Sequence, residues 1–157
     1  MKSEELRAML AAAPWKARDE HVARQLGGLL PVTAEVPDRV TLVLPWPPSV
    51  NHYWRCVRGR FYIGAEGKAY RVTVARLWRE ARHPGFGTAR LGLSIYASPP
   101  DRRERDLDNL LKAPLDALAK CGAYQKDSQI DRLSVARRPV RPGNGGIVVE
   151  LRTLKEE

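Results

Sequence analysis

Apolar residues recur along the chain in two periods, and the switches between them mark out the elements. Residues 39–44 alternate, which predicts a first core strand. Pro45, Pro47 and Pro48 end it, because prolines cannot donate to a central ladder. Residues 53–57 and 60–63 are β-prone runs around Arg58-Gly59, the pattern of a hairpin. From 66 to 82 the spacing becomes helical, with Tyr70, Val74, Leu77, Trp78 and Ala81 on one face, until His83-Pro84-Gly85 stops it. Residues 89–97 alternate again and predict a second core strand. Leu107, Leu110, Leu111, Leu115 and Leu118 predict a helix that begins near Asp108, bends at Pro114 and ends before Gly122. Residues 132–138 and 146–152 read as strands, and the loop from Pro142 to Gly146 as a long hairpin connection between them.

The N-terminal portion reads differently. Helical spacing covers 2–13, with Leu6, Met9 and Leu10 together, and again 17–27, closed by Gly27-Gly28. Pro31 and Pro37 make 29–38 a linker. The expected organisation is therefore a helical extension and linker over 1–38, with one domain over 39–154. The charged tail, 155–157, is expected to fray.

Composition narrows the function classes. The chain has 157 residues, 43% of them hydrophobic, enough for the core of one domain. Lys and Arg total 27 against 18 acids, a net charge of +9, which suits a polyanion such as nucleic acid. No apolar run approaches the ~18 residues of a spanning helix, and no signal-peptide core is visible at the N-terminus, so no membrane partner is expected. Cys56 and Cys121 lack metal-type spacing; they read as packing residues in a reduced, cytoplasmic context.

Against that basic background stands a small acidic group. Asp106 and Asp108 lie two apart, so they share a face on an extended strand end, or sit together at a strand-to-helix corner. Asp127 lies beyond the helix, where a short return could bring it back. Mg²⁺ takes oxygen ligands and binds through one or two carboxylates plus waters and a substrate phosphate. Lys112, four residues after Asp108, shares its helix face and could neutralise phosphate charge in a transition state. The blander reading of Lys112 is a surface ion pair with Asp108 or Asp116, worth a few tenths of a kcal/mol. Arg102, Arg103 and Arg105 would grip flanking phosphates. The hairpin carries arginines among aromatic rings, which fits nucleic acid equally with rings packed inward and arginines solvated. His52 and His83 lack partners for a triad, and the Gly-rich loop near 143–146 precedes no helix, so it is no phosphate cradle. The chemistry that follows is metal-assisted phosphodiester hydrolysis.

These residues resemble a known family. Leu44 to Asn51, Tyr53-Trp54-Arg55, Arg58-Gly59-Arg60, Ala65 to Arg71, Asp101 to Lys112, then Asp116-Ala117-Leu118 and Gly122 are similar in order to the RusA family of Holliday junction resolvases of bacteria and phages. The likeness runs from about 39 to 154. It implies an α+β fold, a mixed β-sheet packed against helices, in a homodimeric endonuclease that resolves four-way DNA junctions by paired symmetric nicks. It implies Mg²⁺ as cofactor, with Mn²⁺ as a substitute, and a cytoplasmic setting in a bacterial or phage-infected cell. The family's catalytic, metal-holding aspartates fall on Asp106, Asp108 and Asp127, and its lysine on Lys112. The matched polar positions Asn51, Arg55, Arg58, Arg60 and Arg71 join Arg102, Arg103 and Arg105 as the expected DNA-contacting set. Two departures stand out: Lys126 takes a place where the family often has a second acid, and the extension over 1–38 exceeds the compact family pattern. Two alternatives remain: a structure-specific nucleic-acid-binding protein without catalysis, and a nuclease for another substrate such as RNA or flap DNA.

Overall fold

A computed structural model describes residues 35–155. The expected helices over 2–13 and 17–27 lie outside the described residues, as does the end of the tail. Along the described chain the order is β1 (Arg39–Pro45), α1 (Val50–Tyr53), β2 (Trp54–Val57), β3 (Arg60–Ile63), α2 (Ala65–Glu80), β4 (Leu91–Ser98), α3 (Lys112–Lys120), β5 (Ile130–Arg137) and β6 (Gly146–Thr153). Single 3₁₀ turns precede α3, at Asp108–Leu110, and β5, at Asp127–Gln129.

β1, β6, β4 and β5 form a four-stranded sheet in that order; β1–β6 and β6–β4 pair antiparallel and β4–β5 parallel. The register sorts side chains into rows. Val40, Leu151, Leu93 and Leu133 make one row, and Leu42, Val149, Ile95 and Val135 the next. Except for Leu133, which is exposed on β5, these rows share a core with Tyr70, Val74 and Trp78 of α2 and Ala113, Ala117 and Leu118 of α3. The other face carries polar rows such as Thr41, Glu150, Ser94 and Ser134, with a hydroxyl bond of 2.9 Å between the two serines. The architecture is thus a mixed sheet with helices, an α+β fold.

The strand order corrects one expectation. β5 and β6 are not a hairpin, because β4 lies between them. Ile147, Val149 and Leu151 of β6 are buried and need partners on both sides, whereas β5 bears Asp131, Arg132 and Arg137, residues suited to an edge. The connecting loop instead binds the exit of β4: Arg138 N donates to Ala97 O (2.8 Å) and Arg141 N to Pro99 O (2.8 Å). A Cβ on Gly145 would lie 2.5 Å from Pro100 N, so only glycine lets this loop lie so close.

The helix after β4 also differs from expectation. It begins at Lys112 rather than Asp108, which places Pro114 in its first turn. There the amide has no intrahelical partner to lose, so proline costs little. Tyr53 is not in a strand either. Ser49 O accepts the amides of His52 (2.9 Å) and Tyr53 (2.8 Å), and the one-turn helix α1 buries the Tyr53 ring completely. The hairpin forms as expected, with Arg58 at φ 51° and Gly59 at φ 73°, the positive pair of a type I′ turn. Cys121 is buried as expected, but Cys56 is exposed on the hairpin and is not a packing residue.

Candidate active site

The segment leaving β4 is held by its own charges. Asp101 accepts two bonds from the Arg105 guanidinium, at 2.6 and 2.9 Å, and one from the Arg103 amide at 2.9 Å. Arg105, then the Arg103 amide, hold the Asp101 carboxyl down at about 2. Arg105 also lies over the Trp46 ring, 5.5 Å from its centroid, and its carbonyl accepts from Arg137. This strap delivers Asp106 to a cleft walled by Trp46, Pro48, Ser49, His52 and Glu66, with Asn109 beside it. Asn109 Nδ2 reaches Asp106 at a long 3.4 Å. Asp108 opens the 3₁₀ turn, exposed and without a side-chain capping bond.

Lys112, the first residue of α3, pairs with Asp116 at 2.9 Å rather than with Asp108. Of the two ion pairs open to it from spacing alone, this is the one that forms. Asp116 is itself held by Tyr53 (3.0 Å) and Arg71 (3.5 Å). Burial, then the Asp116 carboxylate, push the Tyr53 phenol up to about 12.

Asp127 begins the 3₁₀ turn before β5. Gln129, buried, fixes that turn: its Oε1 accepts the amides of Gln125 and Lys126, each at 2.8 Å, and its Nε2 donates to Gly87 O (2.9 Å) and Ala89 O (3.0 Å). The Tyr124 hydroxyl donates to Leu115 O at 2.8 Å. Burial, followed by the Asp127 and Asp116 carboxylates, raises the Tyr124 phenol above its ordinary value.

Asp106, Asp108 and Lys112 therefore share one continuous corner, and Asp127 lies on the 3₁₀ turn beyond α3. Among the described residues no three or more Asp, Glu, His or Cys side chains converge as a ready metal cage. The donors nonetheless suit a hard cation. Asp101, Asp116 and Asp131 are each paired with a lysine or arginine, while Asp106, Asp108 and Asp127 have no ion-pair partner among the described residues. In a chain this basic, unneutralised carboxylates at one corner are the right chemistry for Mg²⁺, which needs only one or two of them.

The expected DNA-contacting set divides. Arg102 and Arg103 are exposed beside the corner, and Asn51, Arg55, Arg58 and Arg60 are exposed around the hairpin. Phe61 and Tyr62 also face outward there, so rings and arginines are offered together. Arg105 and Arg71 are instead already engaged, by Asp101 and by Tyr53 and Asp116 respectively. Sequence reasoning missed Gln129, and it had Tyr53 and Asp116 only as parts of the family likeness, with Asp116 also as an ion-pair partner, and gave neither a place in the site.

An α+β domain with exposed carboxylates inside a basic surface is a nuclease type of arrangement. The comparisons with known proteins make it specific. The chain belongs to the endodeoxyribonuclease RusA family, which matches residues 45–152. It is 45% identical over 103 residues to the crossover junction endodeoxyribonuclease RusA of Escherichia coli (strain K12), covering 66% of this chain and 86% of that protein. It is similarly 45% identical over 102 residues to the namesake of Enterobacteria phage 82 (65% and 85%), and 42% identical over 101 residues to that of phage HK97 (64% and 84%). These relatives come from bacteria and phages. Among the described residues no helix is long and apolar enough to cross a membrane.

Proposed function

We propose that this protein is a Mg²⁺-dependent endodeoxyribonuclease that resolves four-way DNA junctions by paired symmetric nicks, acting as a homodimer in the cytoplasm of a bacterial or phage-infected cell. The observation that carries it is Asp106 and Asp108, without ion-pair partners among the described residues, at the same corner as Lys112 in a strongly basic family member; Asp127, on the 3₁₀ turn beyond α3, likewise has no ion-pair partner there. Asp106 and Asp108 would hold the ion, with Asp127 as a third ligand or an orienting carboxylate. When bound, Mg²⁺ or Mn²⁺ supplies Lewis-acid charge and a more acidic attacking water. Lys112 stabilises the charge that gathers on the scissile phosphate. Arg102 and Arg103, with Arg55, Arg58 and Arg60 of the hairpin, hold flanking phosphates, so affinity falls steeply with salt. A two-fold dimer presents two equal corners to two equivalent strands, which is what paired nicks require.

The test is cleavage of a labelled, fixed four-way junction beside linear duplex of the same sequence, with and without Mg²⁺, together with the mass of the protein in solution. Paired, ligase-sealable nicks in the junction alone, lost in Asp106→Asn, Asp108→Asn and Asp127→Asn while binding persists, are the expected result. Wild-type rates in all three variants would refute the site.

One observation favours a second reading. The aspartates do not converge as a cage, and Lys126 stands beside Asp127. A junction-binding protein without cleavage would bind in a salt-sensitive way, yield no Mg²⁺-dependent product, and tolerate Lys112→Ala with a small affinity loss.

A further inference from the structure

An exposed lysine on a helix ordinarily samples many rotamers, and a carboxylate four residues along restrains it only weakly. The partner of Lys112 is not of that kind. The Asp116 side chain is only 13% exposed, and each of its oxygens is assigned. Oδ1 takes the Lys112 ammonium at 2.9 Å, while Oδ2 accepts from the Tyr53 hydroxyl at 3.0 Å and lies 3.5 Å from Arg71 Nη2. Tyr53 is fully buried in α1, and its hydroxyl oxygen accepts from Arg71 Nε at 2.8 Å, so its own proton is directed to Asp116. The Arg71 guanidinium also lies 5.6 Å from the centre of the Tyr53 ring. The carboxylate is thus fixed by side chains from α1 and α2, and it fixes a residue at the start of α3.

The charges matter as much as the geometry. Arg71 and Lys112 carry one positive charge each and Asp116 one negative, so the group keeps a net positive charge. An ammonium has three donors, and one of them satisfies Asp116. The Lys112 side chain is 41% exposed, so the remaining donors stay open to a phosphate oxygen.

We infer that Asp116 is a positioning residue for the phosphodiester reaction: held by Tyr53 and Arg71, it fixes the Lys112 ammonium where the scissile phosphate must lie. This rests on the nuclease reading above. It adds that the lysine works only as the outer end of a chain running through Asp116 to the buried Tyr53 hydroxyl.

The experiment is a double-mutant cycle on the full chain. Single-turnover cleavage of the four-way junction in Mg²⁺ is measured for wild type, Asp116→Asn, Lys112→Ala and the double variant, with junction Kd and Tm for each. A misplaced catalytic group can cost about 100-fold. Asp116→Asn should therefore lower the rate by about 10- to 100-fold with Kd changed less than about twofold. In the Lys112→Ala background the same change should cost less than about twofold, because its route of action has gone. Tyr53→Phe, which removes one bond to Asp116 and keeps the ring, should fall between wild type and Asp116→Asn. Carbon relaxation at the Lys112 side chain supplies a readout free of catalysis: restricted in wild type, mobile in Asp116→Asn. Rate losses that multiply in the double variant would overturn the inference. So would a faster Asp116→Asn enzyme, which would mean that the carboxylate holds Lys112 away from phosphate, or an equally mobile lysine in both proteins. If wild type does not cut at all, the nuclease reading fails, while the relaxation result still decides whether Asp116 fixes the lysine.

Discussion

Gln129 offers the sharpest test of how the acidic corner is held. Its amide joins the turn that bears Asp127 to the segment before β4, through bonds of 2.8, 2.8, 2.9 and 3.0 Å. Gln129→Met keeps the approximate shape and removes every one of these. A net hydrogen bond is worth about 1 kcal/mol, and more where a buried group is left unpaired. The partners at Gln125 and Lys126 lie in exposed residues, so water can replace part of that stabilisation. The expected destabilisation is about 3 kcal/mol, by the same scale. For a chain of this size that corresponds to a fall in Tm of about 10 °C. Urea unfolding followed by tryptophan fluorescence measures it as a lower midpoint at unchanged slope. Gln129→Glu sharpens the test. Its carboxylate would face the Gly87 and Ala89 carbonyl oxygens, so the folded state favours the protonated acid, which can donate, and raises its pKa. The variant should then be best tolerated below the ordinary glutamate pKa of about 4.3 and lose stability as pH rises through the folded value. A loss below about 1 kcal/mol in Gln129→Met, by the magnitude above, would refute the claim that this amide pins the Asp127 turn.

Three other outcomes follow from the packing and the charges. Gly67→Ala should destabilise by about 1–3 kcal/mol in thermal unfolding, because its Cβ would lie 2.7 Å from Ile63 Cγ2 and 2.8 Å from Tyr53 Cδ2; an unchanged Tm would contradict that packing. Tyr70→Phe should be neutral or slightly stabilising, since the Tyr70 hydroxyl is buried without a hydrogen-bond partner among the described residues and burial raises its pKa; a clear loss in urea titration would reveal a partner for it. The Asp101 carboxyl, depressed to about 2 mainly by the Arg105 guanidinium, should contribute stability above the unfolded value of about 3.9 and lose it as pH falls through the folded one. Carboxyl carbon NMR should find its midpoint well below the ordinary aspartate value, and Arg105→Ala should return it toward that range.

The elements were legible in the sequence because each buries one face, and a face has a period. β1 alternates buried and exposed without a break, and α2 buries Tyr70, Val74 and Trp78 at helical spacing. Strand order is a different kind of fact, because it depends on which strands compete for the centre. The sign was present: β5 carries Asp131, Arg132 and Arg137 where β6 carries Ile147, Val149 and Leu151, but a glycine-rich loop between them suggested a hairpin more loudly. The acidic corner could be named because Asp106 and Asp108, ordinary by themselves near a helix start, stand with Lys112 and the Arg102-Arg103-Arg105 run in a segment that resembles a known family. Gln129 could not, since its partners at Gly87 and Ala89 are forty residues or more away and a lone glutamine has no periodicity. The same limit governs charge. Arg105 and Arg71 look identical to Arg103 and Arg55 in a count, yet the first two answer carboxylates and a phenol within the protein, and the latter two are exposed. The exposed arginines proposed to meet a phosphate backbone are therefore those of the hairpin and Arg102-Arg103. Neutralising Arg58 and Arg60 should flatten the salt dependence of junction binding by about one unit of slope for each phosphate no longer held, while Arg71→Ala should leave that slope alone and lower Tm instead.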